Sequence, residues 1–216
     1  MAPNDYIPAL RFHWLTNMYD WLIRNFMPEK EYKARVIQEA IQSGEERVLD
    51  FGMGTGTLSL MLKRTRPDTT VTGIDVDAKI IGIARRKFAE HNTDIDIVQY
   101  NGKDFPAFDE PFNSVISSLV FHHLSDKQKV TILKSLYHHL QPGGLIVIAD
   151  WGKPTGTGQR LLFYIVQLLD GFRTTQSSVD GKFPEMMKQA GFKTITEVGV
   201  YGTILGTLRI FKSKKL

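Results

Sequence analysis

The stretch Val48 to Ser59, V-L-D-F-G-M-G-T-G-T-L-S, constrains this chain more than any other. Arg47 to Asp50 is a short run ending in an acid, which suits the end of a buried parallel strand. Gly52, Gly54 and Gly56 then alternate through a tight turn, where a side chain would block the backbone's approach to a ligand. Thr57, Leu58, Leu60, Met61 and Leu62 resume with helical character until Pro67 stops the run. The glycines therefore lie between a strand and a helix N-terminus. Free N–H groups and the helix dipole there favour an anionic ligand group.

The rest of the chain repeats this strand-and-helix rhythm. Thr70 to Asp75 reads as a second strand, again closed by an acid. Asp77 caps a helix to about Glu90 whose buried face is Ile80, Ile81, Ala84 and Phe88. Ile95 to Tyr100 alternates as a third strand, and Val115 to Phe121 reads as a fourth. Ser125 caps a helix carrying Val130, Leu133, Leu136 and Leu140. Pro142-Gly143-Gly144 turns into a fifth strand, Leu145 to Asp150. Strands alternating with helices, and apolar on both faces, imply a parallel sheet covered on each side. The end departs from that pattern. Arg160 to Gly171 and Phe183 to Ala190 read as helices. Phe192 to Gly199 and Ile204 to Phe211 then read as strands joined by a loop too short for a crossover helix, so they pair antiparallel or lie apart.

At the other end, Leu10 to Met27 places Leu10, Trp14, Leu15, Met18, Trp21, Leu22 and Phe26 at the spacing of an amphipathic helix. Pro28 breaks it, and Glu31 to Ser43 forms a second helix ending at Gly44. Residues 1–44 thus read as a helical cap on a core of residues 45–152. Residues 153–216 supply the last helices and the strand pair of a single domain. The cap either packs on the core or roofs a pocket with Phe12, His13, Trp14 and Tyr19.

In an open α/β sheet, ligands bind beyond the carboxyl ends of the strands, where strand order reverses. Strand one delivers Asp50 and the glycine turn. Strand two delivers Asp75, about twenty residues beyond the turn, which suits a carboxylate accepting from ribose hydroxyls. Strand four delivers His122 and His123, whose imidazoles titrate near working pH. One of them can act as a general base, and the bland alternative is that one packs while its neighbour faces out. Strand five delivers Asp150-Trp151, and Asp150 could hold an acceptor, serve as the base or simply end a strand. A dinucleotide-binding turn would read G-x-G-x-x-G. Here the spacing is D-x-G-x-G-x-G, with Thr57 in the place of that third glycine.

Asp50 to Gly56 resembles motif I of class I S-adenosylmethionine-dependent methyltransferases. Ser117 to Leu124 is close to their S-x-x-x-x-H-H-L run, and L-Q-P-G-G before strand five is common among them. The similarity is near-continuous from Arg47 to Asp150. With the terminal strand pair it covers most of the chain. The small-molecule group typified by ubiquinone and menaquinone C-methyltransferases is the nearest, and it shares the pair Tyr19-Asp20. The resemblance implies a Rossmann-like, doubly wound α/β sheet of seven strands, mostly parallel with an antiparallel final strand, in the order 3-2-1-4-5-7-6, with the N-terminal helical cap. It implies S-adenosyl-L-methionine as cofactor, leaving as S-adenosyl-L-homocysteine. Asp50, Gly52, Met53, Gly54, Gly56, Asp75, Val76, Asn101, Gly102 and Leu119 would hold it. In the family's G-D-A-x-x-L-P-F stretch the Asp meets the adenine amino group; Asn101 falls there, and Asp104 is the other candidate. His122, His123 and Asp150 are the catalytic candidates. Phe12, Trp14, Tyr19, His122, Trp151 and Tyr164 are those for the acceptor. Base-modifying relatives often carry N-P-P-Y after strand four, and this chain does not. Two alternatives stay open: an NAD(P)-dependent oxidoreductase, and a non-enzymatic protein that binds S-adenosylmethionine.

Composition narrows the field further. The 216 residues include no cysteine, which excludes disulfides, thiolate metal sites and cysteine nucleophiles and fits a reducing compartment. Adjacent histidines splay apart and no third ligand is evident, so no metal is expected. The net charge of +4 owes much to Lys212, Lys214 and Lys215, and no basic stripe interleaves with aromatics, so nucleic acid is not an expected partner. Met1 to Trp14 has no signal-peptide pattern, and Leu161 to Leu169 is too short to span a bilayer. A cytoplasmic enzyme acting on a small molecule is the expectation.

Overall fold

Alternation along each central strand builds the two cores of this molecule. In the computed structural model, which describes residues 27–42, 46–204 and 206–216 and all their side chains except 169 and 170, Val48 faces one side of the sheet with Val71, Ile116 and Val147. Leu49 faces the other side with Ile74, Val115, Ile146 and Ile148. Period-two side-chain direction forces this split. Each such side chain, taken fully out of water, contributes about 1.5–3 kcal/mol.

The strands are β1 (Arg47–Phe51), β2 (Thr70–Asp75), β3 (Asp96–Gln99), β4 (Phe112–Ser118), β5 (Leu140–Gly152), β6 (Ile195–Gly202) and β7 (Thr207–Lys214). They form one seven-stranded sheet in the order β3-β2-β1-β4-β5-β7-β6. The first five are parallel to one another. β7 lies antiparallel to both β5 and β6. This is the expected topology, and it puts the reversal of strand order at the carboxyl ends of β1 and β4.

The helices are α1 (Glu29–Ala40), α2 (Thr57–Thr65), α3 (Ala78–Glu90), α4 (Asp126–His139), α5 (Thr157–Asp170), α6 (Phe172–Val179) and α7 (Phe183–Gln189). Asp77 caps α3 by accepting from the N–H groups of Lys79 and Ile80. Ser125 and Gln128 form a capping box on α4. Among the described residues, no helix is long and apolar enough to cross a membrane. The expected Leu10–Met27 helix, and with it Phe12, Trp14 and Tyr19, lies outside the described residues, apart from Met27.

Several boundaries differ from the sequence reading, each for a physical reason. β4 ends at Ser118 rather than Phe121 because Leu119 takes a left-handed conformation, φ 57°. That residue diverts the chain into a single 3₁₀ turn, Phe121–His123. β5 starts at Leu140 rather than Leu145: Leu140 pairs with Phe112, and Gly143 and Gly144 exchange backbone hydrogen bonds with Lys215. The last two strands begin three residues later than expected, and α6 was missed altogether, since Gly171 at φ 94° closes one helix and opens the next.

Candidate active site

Three glycines in the left-handed region make the turn after β1: Gly52 at φ 68°, Gly54 at φ 57° and Gly56 at φ 71°. A Cβ on Gly52 would stand 2.4 Å from Val120, and one on Gly56 would stand 2.2 Å from the Phe88 ring. A Cβ on Gly54 would meet nothing within 4 Å. The outer two are therefore demanded by packing as well as by conformation, while Gly54 faces open space. Met53, between them, turns inward and fills the space over Gly73.

Asp75 closes this cradle. Its Oδ2 accepts from Gly54 N at 2.8 Å, and its Oδ1 accepts from Asp77 N at 3.0 Å. A carboxylate has about four lone-pair sites, so two remain for a ligand's hydroxyls. Val76 follows it, 44% exposed, and Gly102 at φ 79° approaches Val76 from β3's loop. These two give an apolar lip beside the carboxylate. Asn101, expected at the ligand, serves its own loop instead. Its Oδ1 accepts from the N–H groups of Lys103 and Asp104, and its Nδ2 donates to Asp104. That Asx turn holds the loop open without aiming the amide oxygen outward.

Asp50 sits behind the turn rather than on it. It is 1% exposed, and Ser59 Oγ donates to its Oδ2 at 2.5 Å. Burial pushes its carboxyl up to about 6, against the Ser59 hydrogen bond and the charge of Lys33. Lys33 and Lys87 are the neighbours that sequence reasoning missed. Lys33, 8% exposed, pairs with Glu29 at 2.5 Å. Lys87 Nζ donates to the hydroxyls of Thr55 and Thr57, and so clamps the turn from α3. Neither stands out in sequence, because a lysine on a helix usually marks a solvated face.

The second constellation lies at the ends of β4 and β5. His122 is 3% exposed, and its Nδ1 lies 2.7 Å from Asp150 Oδ1. Asp150, equally buried, also accepts from His122 N and from Trp151 N. Burial alone would raise the Asp150 carboxyl. The His122 imidazole and the Trp151 N–H outweigh it and hold the group below its ordinary value. An ionised Asp150 fixes the Nδ1–H tautomer, which makes Nε2 the basic nitrogen of the ring. The His123 ring lies 3.9 Å from that of His122. Protonation of the adjacent His122, together with burial, pushes the His123 imidazole well below its usual range. Tyr32 of α1 joins the group by a 3.1 Å hydrogen bond to Ser118. Burial pushes its phenol up to about 12, so it stays protonated.

The structure thus gathers Gly52, Gly54, Gly56, Asp75, Val76 and Gly102 at one end of the switch point. Leu119, His122, His123 and Asp150 stand at the other. Trp151 is not on an open wall: it is 2% exposed and edge-on to Phe163 at 5.8 Å, and among the described residues its Nε1 has no hydrogen-bond partner. Tyr164 stands on the outer face of α5 under the Arg160 guanidinium.

Residues 48–144 match the family model described as a methyltransferase domain. The chain is 29% identical over 212 residues to a demethylmenaquinone methyltransferase of Thermus thermophilus, covering 88% of this chain and 95% of that one. Two solved structures share its fold. The YcgJ protein of Bacillus subtilis has a TM-score of 0.71 at 14% identity, covering 86% of this chain and 98% of that one. The magnesium protoporphyrin IX methyltransferase of Synechocystis, solved with bound SAH, has a TM-score of 0.66 at 20% identity, covering 87% and 81%. The chain is an S-adenosylmethionine-dependent methyltransferase, similar in fold and sequence to the class I enzymes.

That identification sets aside the oxidoreductase and the non-enzymatic alternative. The cradle fits the cofactor on its own terms. Gly54 leaves room for a ligand to meet the backbone, Asp75 keeps free lone pairs, and Val76 with Gly102 offers an apolar surface for a flat ring. The residues that would hold S-adenosylmethionine on this geometry are Gly54, Asp75, Val76, Gly102 and the backbone of the turn. Asp50, Met53 and Lys87 support that set from behind.

Proposed function

We propose that the methyltransferase acts on a small, partly apolar molecule carrying an acidic hydroxyl or ring carbon, of the hydroquinone kind, with His122 as general base. The observation that carries this reading is the buried His122–Asp150 pair at 2.7 Å, on adjacent strands beside the glycine turn. S-adenosylmethionine, when bound, supplies an activated methyl group on sulfur. The protein's own task is then to orient the acceptor, exclude water and hold one proton. Asp150 orients the imidazole and stabilises it once protonated. Nε2 of His122 takes the acceptor's proton. Such a base contributes on the order of 10²–10⁴-fold. Ser118 and Tyr32 flank the pair with hydroxyl groups suited to an acceptor oxygen. The Thermus relative, whose name gives a quinone substrate, supports the choice of acceptor class. Absence of cysteine supports a cytoplasmic setting.

The test is release of S-adenosylhomocysteine by the purified full chain against naphthohydroquinones, simple phenols, primary amines and an oligonucleotide. Turnover with the hydroquinones and phenols, abolished by His122→Ala, is the expected result. Turnover only with the amines or the oligonucleotide would overturn the reading.

A further inference from the structure

Helix α5 is apolar on both of its faces. Its inner face holds Phe163 and Val166, but also Gln167, which is wholly buried. Gln167 accepts from Arg160 Nη1 at 2.9 Å and donates to Gln176 at 3.2 Å. Gln159, two turns back on the inner side, is held by Thr155, Thr203 and Thr207. The outer face is apolar as well. Leu161 is 69% exposed, Tyr164 42% and Leu168 60%, and Phe172 at 46% extends the row beyond Gly171. Positions 161, 164 and 168 follow the i, i+3, i+7 spacing that aligns side chains in one stripe. Isolated exposed leucines need no explanation, whereas a contiguous stripe marks a surface that something covers.

The charges around the stripe say what. The Arg160 guanidinium lies over the Tyr164 ring, 4.2 Å from its centroid. Arg173 is exposed at the far end. A convex apolar ridge flanked by cations suits a fluid acyl layer beneath anionic headgroups.

We propose that the outer stripe of α5 docks the enzyme on an anionic lipid bilayer surface. Leu161 and Leu168 enter the acyl boundary, and Arg160 and Arg173 lie among the headgroups. The helix follows directly on β5, and Phe163 beneath it packs on Trp151, so docking brings the membrane to the acceptor end of the sheet. Docking does not depend on which acceptor the enzyme uses.

The experiment is sedimentation of the full chain with phosphatidylcholine vesicles, with and without phosphatidylserine, at low and high salt. Expected is binding to the anionic vesicles that weakens with salt. Leu161→Ser with Leu168→Ser should weaken it by about tenfold or more, and Arg173→Glu severalfold. Retained binding of S-adenosylhomocysteine would show that the variants fold. Because the chain has no cysteine, Leu168→Cys can carry one polarity-sensitive dye. Its emission should shift blue only when vesicles are added. No vesicle binding, binding unaffected by the double substitution, or a dye already blue-shifted without lipid would overturn the proposal. The last result would mean that another part of this chain or a second copy covers the stripe.

Discussion

The two ends of the switch point are built from different materials. On the β1–β2 side the ligand-facing surface is mostly backbone, shaped by three left-handed glycines and one carboxylate. On the β4–β5 side it is made of side chains, with a buried imidazole held by a buried acid. Backbone surfaces tolerate little variation, because no residue but glycine reaches those angles cheaply. Side-chain surfaces can be exchanged without disturbing the strands that carry them. A fold that holds one cofactor and serves many acceptors needs this division.

Substitution of His122 should have the largest effect and test the division directly. His122→Ala is expected to lower turnover on the accepted substrate by about 10²–10⁴-fold. Affinity for S-adenosylhomocysteine, measured by calorimetry, should stay within about twofold, since the cradle is built without that side chain. A comparable loss of cofactor affinity would show that the two ends are one site.

Gly56→Ala should break the other end. The new Cβ would stand 2.2 Å from the Phe88 ring at a φ of 71°, so both packing and backbone must shift. About 2–4 kcal/mol of stability should be lost, read by denaturant unfolding, with cofactor binding falling alongside it.

Asp50 sharpens the comparison through pH. Its carboxyl is raised by burial from 3.8 to about 6 in the folded protein. The folded state therefore favours the protonated form. This favourable contribution is complete below pH 4 and is lost as pH rises through about 6. At pH 7 the buried charge costs on the order of 3 kcal/mol. Asp50→Asn, which keeps an acceptor for Ser59, is expected to stabilise the ligand-free protein at pH 7 and to change little at pH 4. Equal effects at both pH values would mean that Asp50 is not strained by its burial.

Much of this was legible in the sequence, and the reason is local. The glycine turn, Asp75 and the strands themselves follow from spacing and from the period of apolar residues, which act over a few positions, whereas the strand order was implied by the resemblance to the methyltransferases. Asp77 and Ser125 announced their helices by capping chemistry. What escaped depends on distant partners. Nothing near His122 in sequence says that Asp150 will lie 2.7 Å away, because only the pairing of β4 with β5 brings them together. Asn101 aligned with a ligand-binding acid, yet Lys103 and Asp104 claim its amide oxygen. Trp151 was a candidate for the acceptor, and Phe163 of α5 packs edge-on against it in the core. Lys33 and Lys87 were hidden by being lysines on helices.

Asp75→Ala and Gly54→Ala carry the smallest effects and divide the cradle most finely. Asp75 gives one oxygen to Gly54 N and one to Asp77 N, so its removal frees the turn as well as the ribose site. At least about tenfold weaker binding of S-adenosylhomocysteine is expected, with turnover at saturating cofactor nearly unchanged. Gly54→Ala adds a Cβ into open space, and only its φ of 57° is unfavourable. That conformation costs roughly 1–2 kcal/mol for a residue with a Cβ. If Gly54 is only a turn residue, thermal unfolding should show this loss while cofactor affinity holds. If ligand lies against its backbone, the methyl group must also displace it, and affinity should fall beyond the loss in stability. An affinity unchanged by Gly54→Ala, beside a tenfold loss in Asp75→Ala, would move the cofactor's contact off the backbone and onto the carboxylate alone.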